Sequence, residues 1–339
     1  MTDTVLDPVF EMGIPLVDHL SRQEIFDRYR QTIGDAARTH WQIIYLKSHD
    51  KQSKDISEVT GYSVNVIRKI IIRYNELGPD GFIEDNATPD QVKSDYLRKS
   101  NELDTARVAQ QEMLSATIPE HPELNIDAFL KTATELSGDY YDFFLSNDGV
   151  LTLAIGDATG HGTTAGMMVA ATKALFQGSA NDCDLIGLIR TMSKTIKSVN
   201  LPSTFMHLTL ARYDAGVLRL VGAGMPPLLM YRDTTQTVED IVLKGMPLGS
   251  YTEYPYEKVE VPFAPGDTVF FMSDGLLDLL SPCGERLQLE RVRQFFTEAA
   301  NQSPSEIIAH IRKGGIAWRA ERPLKDDVTL LVLQRKAVS

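Results

Sequence analysis

An apolar run that ends in an aspartate and a glycine-rich turn constrains the fold of this chain more than any other stretch. Residues 150–155 are short, apolar and partly β-branched, a pattern typical of a buried strand. The turn Gly-Asp-Ala-Thr-Gly-His-Gly follows at 156–162, and residues 163–176 then predict a buried helix that starts on a threonine cap. Asp157 is thereby placed where a strand stops and the backbone turns. A single aspartate there is most simply a turn residue.

The same pattern recurs at three other places, which favours a shared role for the carboxylates. Asp139 follows the strand-like run 129–136, and Asp274 ends another apolar run. Asp326, beside Asp327, precedes the last apolar run of the chain. Carboxylates and water are ligands that suit Mg²⁺ or Mn²⁺, whereas zinc favours His and Cys. The four strand ends therefore predict a site for a hard divalent cation.

The composition indicates a cytoplasmic protein that neither spans a membrane nor coats nucleic acid. The chain has 46 acidic and 34 basic residues, a net charge of −12, and would repel a phosphorylated substrate unless metal ions reverse the local charge. Residues 1–8 lack the features of a secretory signal, and no apolar run approaches the ~20 residues that span a bilayer. Cys183 and Cys283 have no metal-ligand spacing, as expected of incidental thiols in a reducing cytoplasm.

Residues 1–88 predict a small all-α domain with a helix-turn-helix at about 36–85. Residues 39–46 and 53–59 have the apolar spacing of two helices, and after a glycine turn a third helix is predicted over 63–74. A helix, a short glycine turn and a second helix form the helix-turn-helix arrangement. The segment resembles the helix-turn-helix domains of transposases and small regulators.

Two interpretations of this domain stay open. Asn65, Arg68, Lys69 and Arg73 fall on the predicted recognition helix and could contact phosphates or base edges of DNA. Residues 36–80, however, contain seven Lys and Arg against five Asp and Glu, whereas a DNA-binding face is expected to be distinctly basic. The alternative is a three-helix module that contacts protein.

A continuous helix is predicted between the two halves of the chain. After a composition break at Asp-Asn-Ala-Thr-Pro-Asp, residues 91–116 contain neither Pro nor Gly. Leu103, Val108 and Met113 fall at near-helical spacing within them. Residues 89–118 are therefore predicted to be a linker or regulatory helix, and the segment 91–116 could also mediate a homodimer.

The remaining chain has the pattern of an α+β domain. Strand-like residues 204–213 and 217–221 flank an Asp-Ala-Gly hairpin turn, and further short strands follow. Predicted helices at 288–300 and 303–314 are grouped apart from these strands. Hairpin-linked strands with segregated helices argue for antiparallel sheets packed against helices, and against a parallel sheet with alternating helices.

Six motifs in this part of the chain occur in the order of one family. They are Ser-Gly-Asp-Tyr-Tyr-Asp (137–142), Gly-Asp-Ala-Thr-Gly-His-Gly (156–162), Gly-Ala-Gly-Met-Pro-Pro (222–227), Gly-Met-Pro-Leu-Gly (245–249), Ser-Asp-Gly-Leu-Leu-Asp (273–278) and Asp-Asp-Val-Thr (326–329). The chain from Asp104 onward resembles the bacterial branch of metal-dependent (PPM-type) serine/threonine protein phosphatases, which includes the stage II sporulation protein E and phosphatases of stress sigma-factor pathways. The resemblance implies a phosphatase domain at 119–339 with two antiparallel β-sheets sandwiched between helical layers.

The resemblance also implies which residues carry the chemistry. Asp157 would bridge two ions, Mn²⁺ or Mg²⁺, with the backbone carbonyl of Ala158 as a further ligand. Asp274 and Asp326 would bind one ion, and Asp139 would bind the other or orient its water. A water held by two such ions can attack the phosphorus of phosphoserine or phosphothreonine. Relatives suggest that the substrate is a phosphorylated anti-sigma-factor antagonist with a STAS domain, in a partner-switching pathway controlled here by the N-terminal module.

Other interpretations of these residues stay open. His161 could protonate the leaving group or only hydrogen-bond its own turn. Ser137, where many relatives have glycine, and Ser273 have no histidine–carboxylate pair nearby in sequence, which argues against a serine nucleophile. The alternative from another functional class is a DNA-binding transcription regulator whose phosphatase-like domain only senses a ligand or a partner.

Overall fold

The chain divides into two compact units, Met1–Asn101 and Glu102–Ser339. The structure, a computed structural model, describes residues 14–33, 35–81, 89–114, 117–160, 162–181, 184–201, 203–251 and 253–337. His161, Cys183, much of the predicted boundary at 85–90 and the last two residues of the helix at 91–116 lie outside these residues. No helix in the described ranges is long and apolar enough to cross a membrane.

In the described part of the N-terminal unit up to residue 81, four helices surround an apolar core. They are α1 (Arg22–Gln31), α2 (Asp35–Ser48), α3 (Ser53–Thr60) and α4 (Val64–Gly81). Trp41, Ile56 and Ile71 are fully buried in that core. Between α3 and α4 the chain turns at Gly61, whose φ of 73° lies in the left-handed region that glycine adopts without strain. The regular part of α4 ends before Gly78, whose φ of 70° and ψ of −174° are not helical, so it extends only a few residues beyond the predicted 63–74.

Helix α5 (Pro89–Leu114) follows, and the division between the two units falls within it. The prediction of an uninterrupted helix from residue 91 agrees with this element. Its last turns belong to the second unit, where Met113 and Leu114 pack against an apolar core. Leu103 and Val108 are exposed, so only Met113 of the three predicted apolar contacts packs there.

The second unit contains two five-stranded antiparallel sheets, as the resemblance implied. The strands of the described residues are β1 (Leu124–Lys131), β2 (Asp139–Leu145), β3 (Leu151–Ala158), β4 (Met206–Asp214), β5 (Val217–Ala223), β6 (Leu228–Arg232), β7 (Thr237–Ile241), β8 (Val259–Pro262), β9 (Thr268–Met272) and β10 (Val328–Arg335). The first sheet has the order β1-β10-β9-β6-β7 and the second the order β2-β3-β4-β5-β8. The predicted hairpin between β4 and β5 is present, with Ala215 and Gly216 at positive φ.

Helices cover the outer face of each sheet. The remaining helices are α6 (Thr163–Ser179), α7 (Leu185–Val199), α8 (Asp274–Leu277), α9 (Gln288–Ala299) and α10 (Pro304–Arg319). One apolar core lies between the two sheets, a second between the β3–β4–β5 face and α6 and α7, and a third between the other sheet and α9 and α10. The predicted sandwich of two antiparallel sheets between helical layers is therefore confirmed.

Three sequence-based expectations differ from the structure. The run 129–136 is not one strand, because β1 ends at Lys131 and the chain bends until β2 begins at Asp139. Helix α6 starts after Gly162 with no side-chain cap, so the threonine cap is wrong. Helix α7 and strand β7 were not predicted, and the five residues of β7 are mostly exposed and polar, which hides the pattern of a strand.

Candidate metal centre

Asp139 and Asp157 face each other across two neighbouring strands. In the antiparallel pair of β2 and β3, Asp139 is the direct register partner of Asp157, at the last paired position of the ladder. Both residues are buried, with at most 8% of their surface exposed. On its other side β3 lies close to β4 because residue 156 is glycine: a Cβ there would lie 2.7 Å from the carbonyl oxygen of His207 on β4. The Gly-Asp sequence of the motif therefore has a steric reason.

Asp274 and Asp326 come from the other sheet, where β9 and β10 are neighbours. Asp274 is the first residue of α8, directly after β9, and Asp326 precedes β10. Glycine is again required, because a Cβ on Gly275 would lie 1.9 Å from the carbonyl oxygen of Asp327. The Asp-Gly and Asp-Asp motifs, separated by about fifty residues in the sequence, are thus in backbone contact.

Two hydroxyl groups tie the Asp139 carboxylate to the opposite sheet. Ser273 Oγ and Thr329 Oγ1 both donate to Asp139 Oδ2, at 2.7 and 2.6 Å. Among the described residues no donor contacts Asp139 Oδ1, so that oxygen keeps its capacity to bind a ligand. The two sheets therefore converge on one carboxylate at the site.

Burial and the charge of Asp157 raise the pKa values of three neighbouring aspartates, as a like charge does where carboxylates are partly withdrawn from water. Burial and the charge of Asp157 raise the pKa of Asp274 to about 7 from an ordinary 3.8. Burial and Asp157 also raise the pKa of Asp139, against the opposing effect of its two hydroxyl donors. The pKa of Asp326 is raised by burial and by Asp157. The charge of Asp157 thus contributes to the raised pKa of all three of the other aspartates.

The donor set suits a hard cation. It consists of carboxylate oxygens and lies beside Ala158, whose carbonyl the resemblance adds as a ligand. Oxygen ligands are those that Mg²⁺ and Mn²⁺ prefer. In the described part of the chain, no three Asp, Glu, His or Cys side chains already form a closed cluster with metal-binding geometry. The structure therefore places the predicted carboxylates at neighbouring strand ends near Asp157, but within the described residues it does not hold three of them as a metal-binding group.

Asp327, which was not assigned a role from the sequence, anchors the loop that carries Asp139. Its carboxylate, 6% exposed, accepts hydrogen bonds from the backbone amides of Ala133 and Gly138, each at 2.6 Å, and from Ser137 Oγ at 3.1 Å. The turn before β2 is thereby fixed to the start of β10. In the sequence this residue is marked only as the second aspartate of Asp-Asp-Val-Thr. Its hydrogen-bond partners lie about 190 residues away in the chain.

The two serines of the motifs do not have the environment of nucleophiles. Ser137 Oγ and Ser273 Oγ donate to the carboxylates of Asp327 and Asp139, respectively. No histidine in the described ranges hydrogen-bonds either hydroxyl. Both serines hold aspartates in place, which agrees with the argument against a serine nucleophile.

His207 is a second residue near the site that was not predicted from the sequence. It is the register partner of Asp157 on β4, and its Nδ1 lies 3.9 Å from Asp157 Oδ2. From the sequence it was only a residue of a predicted strand. The structure places it, with a partly exposed imidazole, beside the central carboxylate of the site.

Gln110, near the end of α5, is bound to the backbone next to the site. Its Oε1 accepts from the amide of Ser137 and its Nε2 donates to the carbonyl of the same residue, each at 2.8 Å. The side chain is 8% exposed. Gly166 of α6 allows this approach, since a Cβ there would lie 3.2 Å from Gln110 Nε2. The end of α5 is therefore connected to the turn that carries Asp139 by two buried hydrogen bonds.

Known proteins are similar to the second unit in sequence and in fold. A sequence model of the stage II sporulation protein E (SpoIIE) family matches residues 147–336, more than half of the chain. The phosphoserine phosphatase RsbU of Bacillus subtilis is 26% identical over 241 residues, which cover 70% of this chain and 70% of RsbU. The PP2C domain of SiaA from Pseudomonas aeruginosa has a TM-score of 0.60 at 23% identity, covering 70% of this chain and 98% of that domain. RsbX in complex with magnesium has a TM-score of 0.51 at 15% identity, covering 65% of this chain and 99% of RsbX.

Proposed function

This chain belongs to the stage II sporulation protein E family and is a protein-serine/threonine phosphatase, and from that premise we propose that it hydrolyses its phosphoprotein with a metal-activated water. Phosphatases of this PP2C type depend on metal ions. Asp157, with the Ala158 carbonyl as a further ligand, would be the carboxylate common to two ions, Mn²⁺ or Mg²⁺. Asp274 and Asp326 would hold one ion, and Asp139 would hold the other or orient its water.

One observation carries this proposal: the charge of Asp157 acts on three other carboxylates, which come from both sheets. Asp139 opposes Asp157 in the ladder, and repulsion by Asp157 contributes to the raised pKa of Asp139, Asp274 and Asp326. Carboxylates held together in this way repel one another unless they are protonated or bound to cations. Divalent ions would relieve that repulsion at neutral pH, where a phosphatase must work.

The residues of the chain supply position and the ions supply charge. Bound Mn²⁺ or Mg²⁺ would lower the pKa of a coordinated water and neutralise charge on the phosphoryl oxygens. Ser273 and Thr329 hold Asp139 by Oδ2, so Oδ1 has one orientation in which to bind an ion or a water. Asp327 fixes the loop before Asp139 and so contributes to the position of the site without being a ligand. Precise positioning is most of what a protein contributes to phosphoryl transfer.

The substrate class follows from the relatives. RsbU is named a phosphoserine phosphatase. We therefore propose phosphoserine or phosphothreonine on a small regulatory protein, with a STAS-domain anti-sigma-factor antagonist in a partner-switching pathway as the first candidate. The acidic balance of the chain, −12, makes metal ions all the more necessary for binding a dianionic phosphoryl group.

The helix α5 is proposed to connect the N-terminal module to the activity. It is continuous from Pro89 to Leu114, and Gln110 binds the backbone of Ser137, two residues before Asp139. A helix transmits a displacement more stiffly than a flexible linker does. Leu103 and Val108, exposed on this helix, supply apolar surface for a homodimer. A change of partner at α5 would thereby reach the turn that carries Asp139.

A second candidate function rests on the exposed face of α4. Asn65, Arg68 and Lys69 are solvent-exposed there, as a recognition helix requires. The N-terminal module would then bind DNA, and the phosphatase-like domain would sense a ligand or a partner. Absence of phosphatase activity together with salt-dependent DNA binding would favour this function.

The proposal is tested with Asp157→Ala and Asp274→Ala, assayed for phosphate release from a panel of phosphoserine proteins in Mn²⁺. Each variant should lose most turnover and stay folded, because the substitution removes a ligand and also relieves repulsion. Glu257→Ala, which removes an exposed carboxylate elsewhere, is the matched control and should keep full activity. Undiminished turnover in either Asp157→Ala or Asp274→Ala would contradict the proposed metal ligands.

A further inference from the structure

A cavity of about 380 Å³ opens beside the candidate metal centre. Gly275 and Asp326, which belong to the Asp-Gly and Asp-Asp motifs, form one side of it. The other side is formed by the segment after α8 and by the end of α10 with the residues that follow it. The cavity therefore shares lining residues with the candidate metal centre.

This cavity, the basic pocket, is lined by more cations than carboxylates. The cations are Arg286, Arg319, Arg322 and Lys325, and the carboxylates are Asp278 and Asp326. The whole chain carries a net charge of −12, whereas the side chains that line the pocket carry more positive than negative charge. A local field of this kind raises the concentration of oppositely charged groups.

Within the described residues, three of the four cations have no carboxylate partner. Arg286 pairs with Asp278 at 2.8 Å. Arg319 and Arg322 donate to the backbone carbonyls of Arg322 and Pro282, respectively, which does not neutralise a guanidinium. Among the described residues, Arg319, Arg322 and Lys325 make no ion pair.

Other arginines of this domain do pair with carboxylates: Arg219 contacts Asp214 and Glu260, and Arg232 contacts Glu239 and Asp267. Arg319 and Arg322 instead keep an unneutralised positive charge at the pocket. Each guanidinium has five N–H donors, so one backbone hydrogen bond fixes its position and leaves donors for a ligand.

We infer that the basic pocket is a specificity subsite that binds acidic side chains next to the phosphorylated residue of the protein substrate. This inference rests on the proposed phosphatase function, whose site it extends. Guanidinium groups bind carboxylates in a bidentate geometry, and such charge-assisted hydrogen bonds are the stronger ones in proteins. A cavity of about 380 Å³ holds more than a single phosphoryl group, which favours flanking residues as the occupants.

The test compares two phosphoserine nonapeptides, one with Asp on both sides of the phosphoserine and one with Asn. Binding of fluorescein-labelled peptides to the full chain in Mg²⁺ is measured by anisotropy, and hydrolysis of both peptides and of p-nitrophenyl phosphate is measured in Mn²⁺. The variant is Arg319→Gln with Arg322→Gln. The matched control is Arg190→Gln with Lys194→Gln, which removes two exposed charges from α7.

Wild type should bind the Asp peptide about tenfold more tightly than the Asn peptide. The pocket variant should lose this preference, while binding of the Asn peptide and turnover of p-nitrophenyl phosphate change less than about twofold. The control should keep the preference. The inference is overturned if wild type binds both peptides equally, if the pocket variant retains the preference, or if the control loses it too. Failure of wild type to hydrolyse p-nitrophenyl phosphate and both peptides would instead refute the proposed function, and the anisotropy would still decide the subsite.

Discussion

Removing the charge of Asp274 should stabilise this protein when no metal is bound. The pKa of Asp274 is raised by burial and by Asp157, from 3.8 to about 7. The folded protein therefore binds the Asp274 proton more tightly than the unfolded chain does, so the stability of the metal-free wild type falls as the pH rises from about 4 to about 7. Asparagine cannot ionise. The advantage of Asp274→Asn should be absent below about pH 4 and complete above about pH 7.

The size of the effect follows from the pKa. A change from 3.8 to about 7 corresponds to at most roughly 4 kcal/mol, at about 1.36 kcal/mol per pH unit. The side chain keeps contact with solvent, which screens the interaction, so we expect about 1 to 2 kcal/mol. For a domain of this size that free energy raises the unfolding temperature by roughly 3 to 6 °C.

Thermal unfolding of the full chain in EDTA at pH 5 and pH 8 measures this effect, with Glu257→Gln as a control at an exposed acid. Asp274→Asn should unfold at a higher temperature than wild type at pH 8, and the difference should shrink at pH 5. In Mn²⁺ the order should reverse, because a ligand at 100 times its dissociation constant adds about 2.7 kcal/mol to a protein that binds it. Asp274→Asn that is no more stable than wild type at pH 8 in EDTA would refute the argument from repulsion.

Two further predictions concern the elements outside the metal site. Gln110→Ala leaves the amide and carbonyl of Ser137 without partners, a loss of about 1 to 3 kcal/mol. Basal phosphate release in Mn²⁺ should therefore fall by about tenfold, whereas the control Gln111→Ala, on the exposed side of α5, should not change it. Equal rates for the two variants would mean that α5 is only a tether. If α4 contacts DNA, the full chain should bind duplex DNA with an affinity that falls steeply with salt and that Arg68→Gln with Lys69→Gln weakens; no binding at low salt would leave the module as a protein-contact domain.

The parts of the site that could be predicted from the sequence are those with a local cause. Aspartate next to glycine at the end of an apolar run has a signature because the backbone at Gly156 and Gly275 leaves no room for a side chain. The antiparallel sandwich was predictable for a similar reason, because hairpin turns such as Ala215-Gly216 have a recognisable local sequence. The resemblance to known phosphatases then implied that the strands form two sheets between helical layers, whereas the order of the strands within each sheet was not predicted.

The parts that could not be predicted depend on distant partners. The bend after Lys131 is held by the carboxylate of Asp327, which is 194 residues from Ala133, so no local pattern marks it. Gln110 has the sequence of an exposed helical residue and becomes buried only because Ser137 and Gly166 lie against it. His207 was hidden for the same reason, since its proximity to Asp157 is a matter of strand register.

The central claim is that divalent ions at these aspartates activate water for hydrolysis of a phosphoprotein. The most direct measurement is phosphate release from a serine-phosphorylated STAS-domain protein after exhaustive chelation, followed by a titration with Mn²⁺ and, separately, with Mg²⁺. The account predicts that chelation abolishes release and that either or both ions restore it in a saturable manner. Release that continues at the original rate in excess chelator would contradict the account.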